Sequence, residues 1–346
     1  MQKEILKRVE AGEQLARAEA EAAMEELLAG RAGQEEIVRL LGALRARAPT
    51  GSGRAYSVGE LAGFAAAMRR QAQPVFAAGE ARPAHVVDTC GTGGDGAGTF
   101  NISTAAALVA AAGGARVAKH GNRSSTNMGS GSADVLEALG VRLNLPLERA
   151  GAAIREIGIG FIFAQAAHTS MRHAAAARRE LGGRTVFNLL GPLTNPAGAQ
   201  AQVLGVYSAD VLELVAGTLV ELGVERAFVV HGAGGLDEIA LAGETQVAEV
   251  REGKVRRYTV TPEEFGVARA PEEAIRGGDA AGNAALIRRI LSGERGAPRD
   301  IVVVNAAAAL VAAGVSEDFR DAARRAAEAI DSGAARETLR KLAEFR

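Results

Sequence analysis

The sequence predicts an α/β protein: a small all-helical N-terminal domain, then a larger α/β domain with a mainly parallel central sheet and flanking helices. Over the first 72 or so of 346 residues, apolar side chains recur at three- and four-residue spacing with no strand-like run. From Val86 onward, short β-like runs alternate with helical runs, the pattern of a parallel sheet covered by helices. Glycine is abundant, and ten of its 43 copies fall between Gly91 and Ser132, where strands should turn into helices.

The elements follow in order. Met1 to Glu10 is a charged amphipathic stretch without the apolar centre of a signal peptide. A first helix runs from Glu13 to Leu28 and ends at Gly30; a second runs from about Gln34 to Arg47, broken by Pro49 and Gly51. A third opens on a Ser57/Glu60 capping box and stops before Pro74. Strands are expected at Val86–Thr89, Arg116–Lys119, Gln202–Tyr207 and Arg226–His231, with helices at Thr104–Ala112, Ser132–Leu139 and Asp210–Leu222. Residues 166–182 read as polar helix with no strand nearby, suited to packing on the N-terminal helices. Thr261, Pro262 and Glu264 signal the start of a late helix, and the tail from about Asn283 is helical. The expected division is a helical domain over 1–73, with the helices of about 166–184 packing on it, and an α/β domain over 74–346.

Composition excludes several classes. Forty basic against 41 acidic residues leave a net charge of −1, which argues against a nucleic-acid or membrane-surface binder. Cys90 is alone, so there is no disulfide framework and no cysteine-based metal site. The longest uncharged run, Thr185 to Ala209, holds prolines, asparagines and glycines unsuited to a membrane span. The 15-residue uncharged runs Asn101–Ala115 and Ile301–Val315 suit buried helices or strands. The chain reads as soluble and cytoplasmic.

Four segments carry chemistry. In His85–Thr104 (HVVDTCGTGGDGAGTFNIST) a strand leads into a loop with five glycines in eight residues, then into a helix. Amides at such a helix start attract anions. Gly91, Gly93 and Gly96 match G-x-G-x-x-G, but the helix is delayed to about Ile102 and the next strand ends in Lys119 and His120, unlike a dinucleotide fold. Asp95 inside the loop would repel a bare phosphate, so a sugar phosphate with Mg²⁺ is expected. Lys119–Gly140 (KHGNRSSTNMGSGSADVLEALG) repeats strand, polar glycine loop and helix, with Lys119 and Arg123 adding positive charge. Two such loops side by side suit a ligand with two phosphate groups. Beyond the strand at 226–231, Asp237 and Glu238 follow another glycine turn and read as Mg²⁺ ligands. In Phe163–Ala199, His168, Arg172 and Arg178 lie on a helical stretch, and an arginine there could hold a carboxylate bidentately.

Taken together, GTGGD with TFNIST, KHGN, GSADVLEALG, FNLLGPLTNP and GLDEI resemble the anthranilate phosphoribosyltransferase family, of the nucleoside-phosphorylase-like class, over nearly the whole chain. The resemblance implies a helical domain hinged to the α/β domain, a site in the cleft between them, and a homodimer. It implies that 5-phosphoribosyl diphosphate (PRPP) is held by Gly91, Gly94, Asp95, Thr99, Asn101, Ile102, Ser103, Thr104, Lys119, Gly121, Arg123, Ser124, Ser125, Thr126, Asn127 and Ser132. Mg²⁺ would be bound through Ser103, Asp237 and Glu238, and anthranilate would lie near His120, Asn122, His168, Arg178 and Gly191. Lys119, Asn122 and Arg178 form the implied catalytic group, in a Mg²⁺-dependent transfer belonging to tryptophan biosynthesis.

Two places depart from the family pattern. The SSTNMGSGSAD loop is one residue longer, with Met128 or Gly129 where the family has lysine. The usual His-Pro-Ala-Met is His168-Thr169-Ser170-Met171 here. A related aromatic acid as acceptor, a nucleoside phosphorylase, and a non-catalytic diphosphate-binding module are the alternatives.

Overall fold

The computed structural model describes residues 3–47, 55–77, 79–124 and 130–346. Among these, four helices come first: α1 (Lys3–Glu10), α2 (Arg17–Leu28), α3 (Gln34–Ala46) and α4 (Val58–Gln71). The helix expected from Glu13 begins only at Arg17. Gly12, with φ of 87°, ends α1 and separates the two. Ser57 Oγ caps α4 by accepting from the Glu60 N–H at 3.0 Å. The Glu60 carboxylate reaches beyond the cap, accepting from Leu15 N–H and from Arg47 Nη2, both at 3.0 Å. That buried ion pair ties α4 to the start of α2 and the end of α3.

The remaining described residues build one seven-stranded sheet. Its elements are β1 (Val86–Asp88), α5 (Ile102–Ala112), β2 (Arg116–Gly121), α6 (Ser132–Ala138), α7 (Leu147–Ile157), β3 (Ile159–Phe163), α8 (Ala164–Ala167), α9 (Arg172–Leu181), α10 (Phe187–Leu193), β4 (Ala201–Gly205), α11 (Leu212–Glu221), β5 (Arg226–Gly232), β6 (Thr245–Arg251), β7 (Lys254–Val260), α12 (Ala280–Leu291), α13 (Ala297–Ala312), α14 (Phe319–Asp331) and α15 (Ala334–Glu344). The strand order is β3-β2-β1-β4-β5-β6-β7. The first five strands are parallel, and β6 and β7 join antiparallel.

Three differences from the sequence expectations have physical reasons. β3 was not expected, because its apolar run flows directly into α8 without a turn residue between them. Residues 166–182 therefore do follow a strand, and they divide into the end of α8, a 3₁₀ turn at Thr169–Met171 and α9. The hairpin β6–β7 was also unforeseen. Its two-residue turn is Glu252–Gly253, with φ of 53° and 72°, where asparagine or aspartate would be the usual signal. The expected helix after Thr261 is a 3₁₀ turn, Pro262–Phe265, ended by Gly266 at φ 77°. Its capping box is present, with Thr261 N–H donating to Glu264 at 2.9 Å.

Two large cores cover the sheet. Against one face pack α5 and α13, whose uncharged runs are buried almost throughout, with α14. Against the other pack α11 and the N-terminal helices, together with α9 and α10. Ala174 and Ala177 of α9 join the core formed by Leu40, Leu41 and Leu44 of α3, and Arg45 donates to the carbonyls of Leu181 and Gly182 at the end of α9. Arg69 of α4 donates to Leu193 O at 2.7 Å and Leu222 O at 3.2 Å, joining the helical part to the ends of α10 and α11. Among the described residues no helix is long and apolar enough to cross a membrane.

Candidate active site

The chain order reverses between β1 and β4, so a crevice opens beyond their carboxyl ends. The glycine loop leaves β1 there and lies across β4. Thr92 N–H donates to Gly205 O at 2.8 Å, and Tyr207 N–H donates back to Thr92 Oγ1 at 3.1 Å. The approach is close enough that a Cβ on Gly91 would sit 3.0 Å from Gly205 O and 3.2 Å from Asp237 Oδ2. Gly93, Gly94, Gly96 and Gly98 all have φ between 63° and 76°, a path open to glycine and strained for other residues.

The acids arrive from the loop after β5. Gly93 N–H donates to Asp237 Oδ2 at 2.8 Å, and Ser103 N–H donates to Glu238 Oε1 at 3.1 Å. Asp95 Oδ2 accepts from Asp237 N–H at 3.3 Å. Three carboxylates thus gather above the amides of the loop and the first turn of α5. Burial pushes the Asp237 and Glu238 carboxyls well above the ordinary range; for Asp237 the charge of Asp95 adds to it, and for Glu238 the charge of Asp237. The cluster has more negative charge than its surroundings offset, and its side-chain donors are all oxygen. That set fits a hard divalent cation such as Mg²⁺. Lys119 lies beneath the loop, 3% exposed, donating to Thr89 O at 3.0 Å and Ser103 Oγ at 3.5 Å. Ile102 is a core side chain, and Thr104 is buried with a hydroxyl that has no described partner. Thr99 forms an isolated bridge with Arg276, and the Asn101 amide faces Ser130 rather than open cleft.

At the end of β2, where the second loop begins, a Cβ on Gly121 would collide with the Ser132 hydroxyl. Asn122 Oδ1 accepts from Arg123 N–H at 2.9 Å and Gln165 Nε2 at 3.3 Å. Asp134 Oδ2 accepts from Ser124 N–H at 2.9 Å and Gly131 N–H at 3.0 Å, pinning the neck of the loop. Arg123, expected as positive charge for the diphosphate, is engaged by Asp134 at 2.9 Å and Glu137 at 2.8 Å on α6. Ser125, Thr126 and Asn127, with Met128 and Gly129, lie outside the described residues.

Where the resemblance implied an acceptor, the His120 and His168 rings meet edge to face with centroids 5.3 Å apart. Neither His120 nitrogen, nor His168 Nε2, has a well-formed hydrogen bond among the described residues, although both rings are buried. Burial holds His120 well below the usual histidine range and brings His168 down to about 4, so both are neutral at pH 7. Gly191 of α10 borders His120. The Arg178 guanidinium stands 5.3 Å from the Phe187 ring centroid, half-buried, with no described carboxylate paired to it. A half-buried cation without an acid can receive a ligand carboxylate.

Sequence reasoning passed over four supporting residues: Asp88, Arg184, Asn195 and Asn283. Asp88 is fully buried and accepts from Cys90 N–H, His120 N–H and Asn195 Nδ2, at 3.1, 3.2 and 2.8 Å. Burial raises its carboxyl to about 6 against the pull of Lys119. Arg184 stacks 4.2 Å from the Tyr207 ring centroid and donates to Gly94 O. Asn283 bonds both loops from the first turn of α12. Asp88, at the end of the strand before the glycine loop, and Asn195, as the last polar residue of FNLLGPLTNP, stood in segments already singled out.

A helical bundle set against a mostly parallel sheet, with glycine loops and an acid cluster at the crossover, defines a glycosyltransferase architecture. Two family descriptions match accordingly: glycosyl transferase family, helical bundle domain, over residues 3–72, and glycosyl transferase family, a/b domain, over 83–336. The anthranilate phosphoribosyltransferase of Solibacter usitatus is 54% identical over 331 residues, covering 96% of this chain and 94% of its own. The crystal structure of the enzyme of that name from Thermus thermophilus superposes with a TM-score of 0.91 at 47% identity, covering 99% of this chain and 98% of the other. The Saccharomyces cerevisiae enzyme in complex with PRPP and Mg superposes with a TM-score of 0.86 at 25% identity, covering 100% and 98%. The chain belongs to the anthranilate phosphoribosyltransferase family, and with it to the pentosyl-transferring enzymes.

Proposed function

We propose that this protein transfers the 5-phosphoribosyl group of PRPP to the amine of anthranilate, releasing diphosphate, with Mg²⁺ required and tryptophan biosynthesis as the setting. One observation carries the reading. An under-neutralised acid cluster (Asp95, Asp237 and Glu238) is bonded to the glycine loop and to the first turn of α5, where backbone amides suit an anion. A glycine loop alone would suit many phosphates. With the acids it suits a diphosphate brought in with its cation, as in the yeast relative.

Asp237, Glu238 and Ser103 would hold Mg²⁺, which when bound supplies positive charge to the diphosphate oxygens. The amides of the glycine loop, with Lys119 beneath it, stabilise the charge that grows on the departing diphosphate. The C1–N bond forms as the C1–O bond breaks, with inversion. Anthranilate's aryl amine is neutral at pH 7, so no strongly shifted base is needed: the acidic N–H proton left on nitrogen once the C1–N bond has formed passes to the released diphosphate or to water, and the neutral histidines line the acceptor side rather than take a full charge. Arg178 receives the acceptor's carboxylate, and Asn122 and Gly191 border the ring. Closure of the helical part, 1–73, on the α/β part, 74–346, keeps out water that would compete as acceptor. A homodimer belongs to the same reading and is tested by light scattering.

The deciding assay mixes purified protein, Mg²⁺, PRPP and anthranilate and follows anthranilate fluorescence. Its loss, dependent on PRPP and Mg²⁺, is expected. No loss of anthranilate with consumption of another aryl acid would keep the reaction class and change the acceptor.

A further inference from the structure

We propose that Asn283, in the first turn of α12, is a positioning residue that holds the two phosphate loops in register. The inference rests on the assignment of those loops to PRPP. Asn283 is 2% exposed, and its amide is used on both sides. Its Oδ1 accepts from Gly278 N–H at 2.7 Å. Its Nδ2 donates to Asn101 Oδ1 at 3.0 Å and to Ser130 Oγ at 2.9 Å. Asn101 closes the glycine loop just before α5, and Ser130 stands at the exit of the second loop. These two also bond each other: Ser130 Oγ donates to Asn101 Oδ1 at 3.0 Å, and Asn101 Nδ2 donates to Ser130 O at 2.8 Å. One side chain from the C-terminal part of the chain therefore meets both loops at their ends.

The segment before α12 is fastened to the same place. Gly277 N–H donates to Gly98 O at 2.9 Å, and a Cβ on Gly277 would lie 2.5 Å from Phe100 N. The sheet does not perform this task, because β1 and β2 end before the loops begin. A loop with four glycines at positive φ is soft, and ordering it on binding costs free energy that a preformed anchor removes. The hydrogen bonds of Asn283 go to loop residues and not to Lys119 or the acids, so its effect is expected on PRPP binding and not on the acceptor.

The test is steady-state kinetics of the full chain at saturating Mg²⁺, with PRPP and anthranilate varied separately. Asn283→Ala is expected to raise KM for PRPP about 10- to 30-fold, from the loss of two loop contacts. KM for anthranilate at saturating PRPP should stay within about twofold, since none of the lost bonds reaches the acceptor side. Ser130→Ala should raise KM for PRPP about threefold, losing part of the same network. The double variant should fall short of the product of the two effects, as members of one network do. If Asn283→Ala does not fold, Ser130→Ala decides by the same split between substrates. Equal rises in both KM values, an unchanged KM for PRPP, or fully multiplicative effects would overturn the proposal while leaving wild-type turnover, and the function, in place. A wild-type protein inactive with PRPP and every aryl acid would overturn the functional reading and the proposal with it.

Discussion

Replacing Asp237 by asparagine should make the metal-free protein more stable and the enzyme nearly inactive. Asp237 accepts from Gly93 N–H, a bond that an asparagine Oδ1 can keep. What the substitution removes is a charge held among Asp95 and Glu238 in a partly buried cluster. Burial with like-charge repulsion of this kind shifts a carboxyl by a few pH units, worth on the order of 3 kcal/mol. At roughly 2 °C per kcal/mol for a chain of this size, Tm without Mg²⁺ should rise by about 4–8 °C. The sign follows from proton linkage. Both folded-state pKa values lie above the unfolded ones, so between the two the folded state binds more protons. The contribution is fully present below pH 4 or so, and it is lost as pH rises through the folded values. The Tm gap between variant and wild type should therefore open as pH rises from about 4 to 8, and saturating Mg²⁺ should close it or reverse its sign. Turnover should fall at least about a hundredfold. Differential scanning fluorimetry with and without EDTA, beside the fluorescence assay, reads both. A variant destabilised in EDTA at pH 8, or one with full Mg²⁺-dependent turnover, would refute the reasoning.

Arg178→Ala should raise KM for anthranilate about 30- to 100-fold with little change for PRPP, the loss of a charge-assisted pair, and Arg178→Lys should recover only part; equal effects on both substrates would remove Arg178 from the acceptor. Gly205→Ala places a methyl group on the Asp237 carbonyl oxygen, so the Mg²⁺ concentration for half-maximal turnover should rise at least about tenfold as the acid loop shifts; an unchanged Mg²⁺ titration would contradict that. Burial keeps the folded-state pKa of both His120 and His168 below the usual value, so kcat/KM should show no histidine inflection near pH 6.5; an inflection there that His168→Asn abolishes would count against neutral histidines.

Much of the backbone around the candidate site could be read from local sequence because its parts are local. A strand, a run of glycines and a helix start are encoded within some twenty residues, and the delay of the helix to Ile102 was visible in the same stretch. The Ser57 cap and the two uncharged helices were equally plain. β3 was hidden because an apolar run entering a helix has the same composition as the helix itself. The β6–β7 hairpin was hidden because its turn lacks the usual residue pair and its outer strand is mostly exposed and basic. Arg123 illustrates a different limit: its charge was legible, but its engagement by Asp134 and Glu137 depends on where α6 lies.

By itself the sequence determined the order of elements around the loops, the glycine-only path of the first loop, and the residue types able to meet a diphosphate, a cation and a carboxylate. These follow from backbone sterics and side-chain chemistry, which act over a few residues. Only the tertiary structure decided that Asp237 meets an amide 144 residues earlier, that Lys119 lies under the loop, and that Asn283 joins Asn101 to Ser130. Those pairings come from strand order and helix packing, which bring distant residues to one end of the sheet. No local propensity encodes which distant residue will be there.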